Sequence, residues 1–214
     1  MFLKELTRRE REQLDREEAI AAKAEELFCI YGFDKVSMDD LAKKSEYTKR
    51  TIYRYFTNKE DLFFAVALKS YKRLFELMKA RSRAGKTGLE KIRLSYNAYY
   101  EFFCKFPQML QLMNMSGIIK SNSKDMDVPQ RQKYMDFDKQ VSEELLGAFI
   151  EGKSDGSIRS ELDISSLAYS SIFIATGFFQ LLSLTGDHYT KHFNLDINVF
   201  VKSTIDMLIN SLRG

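Results

Sequence analysis

The chain has 214 residues and a nearly balanced charge, with 33 basic and 30 acidic side chains and a formal net charge of +3. This length can bury a substantial core and leaves room for one or two domains. Two prolines, ten glycines and apolar residues at helical rather than alternating spacing exclude a β-rich fold and predict an all-α protein. The overall charge does not exclude a nucleic-acid partner, because the charge of the local surface decides that.

The sequence also bears on the compartment. Cys29 and Cys104 lie far apart inside apolar helical patterns, which favours free, buried thiols over a disulfide or a metal pair. The opening residues, MFLKELTRREREQ, lack the apolar core of a signal peptide, and no uninterrupted apolar run has the length of a membrane span. We therefore expect a cytoplasmic protein that makes no contact with a membrane.

The first predicted helix covers about residues 7–31. Thr7 and Glu10 have the spacing of a capping box, and Gly32 ends the helix. An apolar stripe begins at Ile20, whereas the residues before it are almost all charged and of mixed sign. Two interpretations of that charged segment stay open: a solvated extension of the helix, or an arm that reaches along DNA.

The capping residues and apolar spacing of residues 37–60 predict a helix-turn-helix. Ser37 and the acid three residues later form an N-cap pair for a short first helix, and Thr48 caps a second one. In the second helix Ile52 and Phe56 face inward, while bases and a tyrosine share the opposite face. From Lys43 to Lys59 there are six bases and one acid, a local excess of five positive charges. Such a basic face with interleaved tyrosines is typical of a surface that binds DNA phosphates and base edges.

This segment resembles the DNA-binding motif of the tetracycline-repressor (TetR) family of bacterial regulators. The resemblance rests on these residues: Gly32-Phe33, Val36-Ser37, Leu41-Ala42, Thr48, Thr51-Ile52-Tyr53, Tyr55-Phe56, Asn58-Lys59-Glu60 and Leu62. A pattern over about thirty positions is far more specific than a lone short motif. One position departs from it, because Glu46 stands in the turn where the family usually has glycine. The turn is therefore expected to avoid a positive φ or to be strained.

The resemblance implies which side chains contact DNA. Lys49, Arg50 and Tyr53 occupy the base-reading positions of the family motif, and guanine is the favoured partner of Arg50 or Lys49. The remaining members of the implied set position the protein, chiefly through phosphates; they are Ser37, Thr48, Thr51, Arg54, Tyr55 and Lys59.

A connecting helix is predicted from Lys59, with Asn58 as its N-cap. We place the domain boundary inside this helix. Residues 1–62 form the predicted helix-turn-helix DNA-binding domain, and residues 63–214 form a helical effector-binding and dimerisation domain. Pro107 and Pro129 begin further predicted helices, and the first of these two should end at Ser116-Gly117.

Aromatic and methionine side chains crowd the helices of the second domain. A filled core explains most of them, but members of the TetR family carry an effector cavity in this region. The resemblance thus implies a pocket for an apolar or aromatic small molecule. Its predicted lining is Tyr99, Phe102, Phe103, Phe106, Met109, Met113, Tyr134, Phe137 and Phe173.

The last two predicted helices indicate a homodimer. Residues 164–184 are apolar or small nearly all round, and the final helix repeats that pattern. A helix that is apolar on every side must be covered on every side, and one chain has too few helices to do so. Ser171, Ala175 and Gly177 are small enough to let a partner's helices approach closely. The family resemblance implies the same dimer.

No catalytic constellation is found, so an enzyme is not expected and no cofactor is implied. His188 and His192 are expected to be solvated residues of a loop, because no third metal ligand accompanies them. The leading hypothesis is a homodimeric transcriptional repressor that binds a palindromic operator and releases it on binding an effector. The alternative is a ligand-binding or protein-interaction module whose helix-turn-helix does not bind DNA. The same motif serves activators and repressors.

Overall fold

The computed structural model describes residues 7–122, 128–161 and 163–214. The first six residues, which form part of the segment from which we excluded a signal peptide, lie outside that description. Within the described ranges the chain is helical, which confirms the predicted all-α class. The helices are α1 (Arg8–Tyr31), α2 (Met38–Lys44), α3 (Lys49–Tyr55), α4 (Lys59–Ser82), α5 (Gly88–Lys105), α6 (Pro107–Asn122), α7 (Pro129–Ser154), α8 (Ile164–His192) and α9 (Ile197–Leu212).

The described chain divides into two compact units. Residues 7–69 and the described part of 116–134 form the N-terminal unit, and residues 70–115 with the described part of 135–214 form the C-terminal unit. The division falls inside α4, and α6 and α7 also contribute residues to both units. The functional division at residues 62 and 63 stays a prediction.

An aromatic cluster forms the core of the N-terminal unit. The ring centroid of Phe33 lies 5.5 Å from that of Phe28 and 4.9 Å from that of Phe63. Phe64 extends the cluster to Tyr134, whose centroid is 6.0 Å away. These buried rings hold α1 against the start of α4, because large apolar surfaces supply most of the stability of a small core.

A buried carboxylate fixes the start of α4. Asp61 is 1% exposed, and its Oδ2 accepts a hydrogen bond of 2.9 Å from the Thr57 backbone N–H. Its Oδ1 accepts a second bond of 2.9 Å from the backbone N–H of Gln130, in the first turn of α7. Two helix starts are thus tied to one side chain, which satisfies backbone donors that have no partner within their helices.

The C-terminal unit packs α5, α8 and α9 around an apolar core. The Tyr99 and Phe179 rings stack with centroids 4.3 Å apart. The buried hydroxyls of Tyr96 and Ser171 lie 2.6 Å apart, and burial raises the pKa of Tyr96 to about 12. Gly88 allows α5 to approach α7 closely, since a Cβ there would lie 2.2 Å from the backbone nitrogen of Gly152.

Three predictions about helix ends and cysteine burial were wrong. α6 continues past Ser116-Gly117 to Asn122, and α8 continues through Gly186 to His192, because a single glycine without further breakers does not end a helix. The two histidines are therefore helical. Both cysteines are free, but Cys29 is only half-buried and Cys104 is exposed, since it faces away from the buried side of α5.

Candidate nucleic-acid interface

The helix-turn-helix is built by local capping and a small buried core. Ser37 accepts a hydrogen bond from the Asp40 backbone N–H, and Asp40 accepts one from the Ser37 N–H. The hydrogen bonds from the Ser37 hydroxyl and backbone lower the pKa of Asp40. Thr48 accepts from the Thr51 N–H at 3.2 Å and so begins α3. These contacts confirm the predicted starts of α2 and α3.

Opposite faces of α3 have opposite environments. Ile52 and Phe56 are fully buried, as predicted, and so fix the rotation of the helix about its axis. Arg50, Arg54 and Tyr53 are exposed on the other side, with 46% of Tyr53 accessible. These three side chains share a face because of helical spacing, and the burial of Ile52 and Phe56 keeps that face exposed to solvent.

Lys49 is tied to the neighbouring helix. Its Nζ lies 2.8 Å from one carboxylate oxygen of Asp39 and donates a hydrogen bond of 3.0 Å to the other. This hydrogen bond raises the pKa of Lys49. Both side chains are about half exposed, so the pair contributes little to stability, but it neutralises one positive charge of the face.

Two of the other predicted contact residues support one another. The Arg54 guanidinium lies 5.2 Å from the centre of the Tyr55 ring and donates to its hydroxyl at 3.4 Å. This stacking extends the basic face of α3 to its last turn.

Lys59 is held differently from the bases of α3. It is half-buried, its Nζ donates to the Phe33 carbonyl at 3.1 Å, and it lies 4.2 Å from the centre of the Phe33 ring. The ammonium group therefore joins the start of α4 to the turn after α1. An ammonium has three donors, so two are left for another acceptor.

The turn between α2 and α3 avoids the left-handed conformation. Among the described residues only Asn194 has a positive φ without being glycine, so Glu46 has a negative one. Of the two expectations for this turn, the structure adopts the unstrained one.

All nine residues predicted to contact DNA lie on or beside this unit. Six are exposed, and the other three, Thr51, Tyr55 and Lys59, are half-buried. Their contacts with DNA stay a prediction. The structure adds Asp39 to the surface, a residue that sequence reasoning missed because nothing in the spacing from residue 39 to residue 49 reveals the ion pair.

The residues predicted to line a ligand pocket are spread more widely. Tyr99, Phe102 and Met113 are buried in the core of the C-terminal unit, and the half-buried Phe103, Phe106 and Met109 pack against it. Phe137 is half-buried elsewhere in the same unit. Tyr134 belongs to the N-terminal unit. Phe173 is 81% exposed on α8. A cleft of about 290 Å³ in the C-terminal unit is lined by none of these nine residues.

Buried polar groups inside the C-terminal unit were missed. Asn114 donates to the Ser183 hydroxyl at 2.9 Å, and the exposed Gln111 donates to the Ser183 carbonyl at 2.8 Å. Tyr96 and Ser171 form a second buried pair. The sequence does contain a signal for these groups, because polar residues within apolar helical segments mark places where a buried polar contact can form.

An exposed apolar stripe runs along α8. Phe173, Leu181 and Leu184 are 81%, 61% and 56% exposed, and Tyr169 begins the same stripe one turn earlier. Gly177 lies on the stripe, and a Cβ there would have no neighbour within 4 Å. α9 adds Met207, 72% exposed, and Val199, 63% exposed.

Two of the three small residues named on α8 do not share that stripe. Ser171 and Ala175 are buried within the unit, so the expectation that they help a partner approach was wrong. Apolar side chains on both the inner and the outer face make α8 long and apolar enough to span a membrane by length and composition, although a third of that stretch is buried. The sequence prediction had missed this because scattered serines and a glycine interrupt the run.

The histidine rings stack on α8 with centroids 6.2 Å apart. Within the described ranges no three His, Cys, Asp or Glu side chains are grouped so that they could hold a metal ion.

Comparison with known proteins finds a family match for the segment that contains this geometry. Residues 20–66 match the profile of "Bacterial regulatory proteins, tetR family". No curated protein sequence matches the chain.

Solved structures match almost the whole chain. A TetR/AcrR-family transcriptional regulator from Thermobifida fusca is 20% identical with a TM-score of 0.67, over 94% of this chain and 100% of that one. The fatty acid degradation regulator FadR from Bacillus halodurans is 18% identical with a TM-score of 0.67, over 92% and 99%. The ketosteroid transcriptional regulator KstR2 of Mycobacterium tuberculosis is 14% identical with a TM-score of 0.61, over 93% and 95%.

Proposed function

We infer that the chain is a TetR-family regulator, because residues 20–66 match that family and the fold is shared, and from this premise we propose that it is a homodimeric, ligand-released repressor of transcription. The dimer binds a palindromic operator in the cytoplasm. The observation that carries the proposal is the exposed basic face of α3, which the buried Ile52 and Phe56 hold in a fixed orientation.

In this proposal α3 enters the major groove. Arg50 reads guanine through its two parallel donors, and Tyr53 and Lys49 contact neighbouring bases. Lys49 exchanges Asp39 for the DNA when it binds. The flanking hydroxyls and bases contact phosphates and set the register of α3 in the groove; they are Ser37, Thr48, Thr51, Arg54, Tyr55 and Lys59.

The exposed stripe of α8 supports a dimer. A second copy would cover Phe173, Leu181 and Leu184 with the same residues of its own, as twofold symmetry requires. Gly177 would admit the partner's helix without a steric clash. A second copy explains this face better than a lipid bilayer does, because a third of the apolar stretch of α8 is already buried against the chain's own residues.

The effector is proposed to be a small apolar or aromatic molecule that enters the C-terminal unit. The aromatic residues around Tyr99 and Phe102 supply an apolar lining, and the buried Asn114 and Ser183 supply polar groups that could orient a ligand. Two of the solved structures are described as a fatty acid degradation regulator and a ketosteroid transcriptional regulator, and both fatty acids and ketosteroids are largely apolar.

Effector binding is proposed to act through α4. This helix begins next to α3 at Lys59 and continues into the C-terminal unit. A ligand that prefers a different placement of α4 would change the separation of the two α3 helices in the dimer. Half-sites fit only when that separation matches the DNA repeat of about 34–36 Å.

A nuclease-protection footprint on the region upstream of the chain's own gene tests DNA binding. We expect two protected half-sites related by twofold symmetry, retained in an excess of random-sequence competitor. Uniform protection, or equal displacement by the competitor, would contradict the proposal and favour a module that contacts protein instead.

The same fragment tests repression and release. Transcription from it in vitro should fall when the protein is added. A long-chain fatty acid and a ketosteroid serve as apolar probes, and a ligand present at a hundred times its Kd should release the DNA and stabilise the protein by about 2.7 kcal/mol. If neither probe shifts the melting temperature or the DNA affinity, the effector class is wrong.

A further inference from the structure

A cleft of about 360 Å³ lies between α1 and the last turn of α3. Its lining comes from two helices that are distant in sequence. Those residues are Arg9, Glu12, Gln13, Arg16, Arg54 and Tyr55. Only the last two belong to the DNA-reading helix, so the four residues of α1 have no role in the function proposed above.

The four α1 residues form a single stripe at i, i+3, i+4 and i+7. The stripe lies on the charged segment that precedes Ile20, the first buried residue of α1. From Arg8 to Ile20 the helix rises roughly 18 Å, so the segment extends well beyond the core of the unit. One face of this charged segment, with two arginines and one glutamate, therefore lies across the cleft from α3.

The charges within the cleft are unequal. Arg9 and Arg16 have no hydrogen-bond or ion-pair partner among the described residues, and the Arg54 guanidinium stacks on the Tyr55 ring. The carboxylate of Glu12 already accepts a hydrogen bond of 2.9 Å from Arg8, which neutralises it. Three guanidinium groups therefore face a cleft whose single acid is paired.

We propose that this cleft holds a backbone phosphate of the operator, next to the half-site that α3 reads. A guanidinium presents parallel donors that match phosphate oxygens, and three around one cleft favour a phosphodiester over any neutral ligand. The inference rests on the proposed function, since it needs α3 on DNA. If the cleft binds a phosphate, the charged start of α1 is a DNA-contacting surface. Of the two interpretations of that segment, the proposal therefore favours an arm that reaches along DNA.

The salt dependence of DNA binding tests the proposal. The double variant Arg9→Ala, Arg16→Ala should lower the slope of log K against log salt by about 0.9, because it removes the contact with one phosphate. Between 50 and 200 mM salt, its affinity should then fall about threefold less than that of the wild type. The matched control is Lys139→Ala, Lys153→Ala, which removes the same charge from exposed positions of α7 and should keep the wild-type slope. An unchanged slope in the α1 variant overturns the proposal.

A tethered cleavage experiment locates the contact. Gln13 lines the cleft without charge, so Gln13→Cys carrying an iron-EDTA group leaves all three guanidinium groups in place. Cys29 and Cys104 are first replaced by serine, since both are free thiols. Cleavage of the upstream fragment should concentrate beside each protected half-site. Cleavage spread evenly along the fragment, with the footprint retained, overturns the cleft assignment.

Failure of this inference and failure of the proposed function are distinguishable. If the cleft is wrong but the function is right, the footprint remains and only the slope and the cleavage pattern disagree. If the function is wrong, no protected site appears with the wild type, whatever the state of α1.

Discussion

Two surfaces of this protein are exposed for different reasons. The face of α3 presents arginine, lysine and tyrosine on a helix of only seven residues, whereas α8 presents phenylalanine and leucine on a helix of 29 residues. A charged face is stable in water and needs a partner only for function. An apolar face of that extent is costly in water and needs a partner for stability as well. The partners proposed for the two surfaces match this difference: DNA for α3 and a second copy for α8.

The largest expected effect comes from charging the apolar stripe. Phe173→Asp would place an unpaired carboxylate in the proposed dimer interface, and burial of such a charge costs several kcal/mol. The dimer dissociation constant should rise at least about a hundredfold, as sedimentation velocity would measure. Cooperative binding to both half-sites should be lost with it.

The matched control for that variant is Ile150→Asp. Ile150 is 53% exposed on α7, outside the α8 and α9 stripe. Its substitution should leave the dimer intact. Equal behaviour of the two variants would show that the stripe is not the interface.

The next effect concerns the chemistry of base reading by α3. Arg50→Ala should weaken binding to the protected site by about 1–3 kcal/mol and reduce the preference over random DNA. Arg50→Lys keeps the charge but loses the planar pair of donors, so it should lose specificity while the salt slope stays close to that of the wild type. Fluorescence anisotropy across salt measures both quantities. Full specificity in the lysine variant would show that Arg50 contributes charge alone.

A smaller effect tests how α8 is held on its inner face. Tyr96→Phe removes the buried bond to Ser171 and should lower the free energy of unfolding by about 1 kcal/mol. Tyr100→Phe is the control, because its hydroxyl bonds Asn198 at an exposed position and should matter less. Chemical denaturation of the two variants gives the comparison, and a larger loss for Tyr100→Phe would contradict it.

The smallest expected effect tests whether the ion pair between Asp39 and Lys49 weakens DNA binding by the basic face of α3. Asp39→Asn removes the partner of Lys49 and one negative charge beside the DNA, so affinity should rise about two- to fivefold at low salt, consistent with exposed pairs worth at most about 1 kcal/mol. Asp34→Asn makes the same charge change in the turn before α2, with no contact to Lys49. An equal gain in both variants would assign the effect to net charge instead of the ion pair.

The sequence by itself determined the helix starts and the orientation of α3. Thr7, Ser37 and Thr48 act through bonds that span three residues, and the burial of Ile52 and Phe56 follows from helical spacing alone. Such signals are local, so they can be read without knowing which elements meet.

Only the tertiary structure decided which contacts form between elements distant in the chain. α8 is apolar nearly all round, so its periodicity could not tell the exposed Phe173 from the buried Phe179. The pairing of Asp39 with Lys49, the carbonyl partner of Lys59 and the arginine-lined cleft beside α3 each join residues that no local pattern connects. The physical reason is that tertiary packing decides which face of each helix is buried. A sequence pattern predicts that face only where the helix is amphipathic.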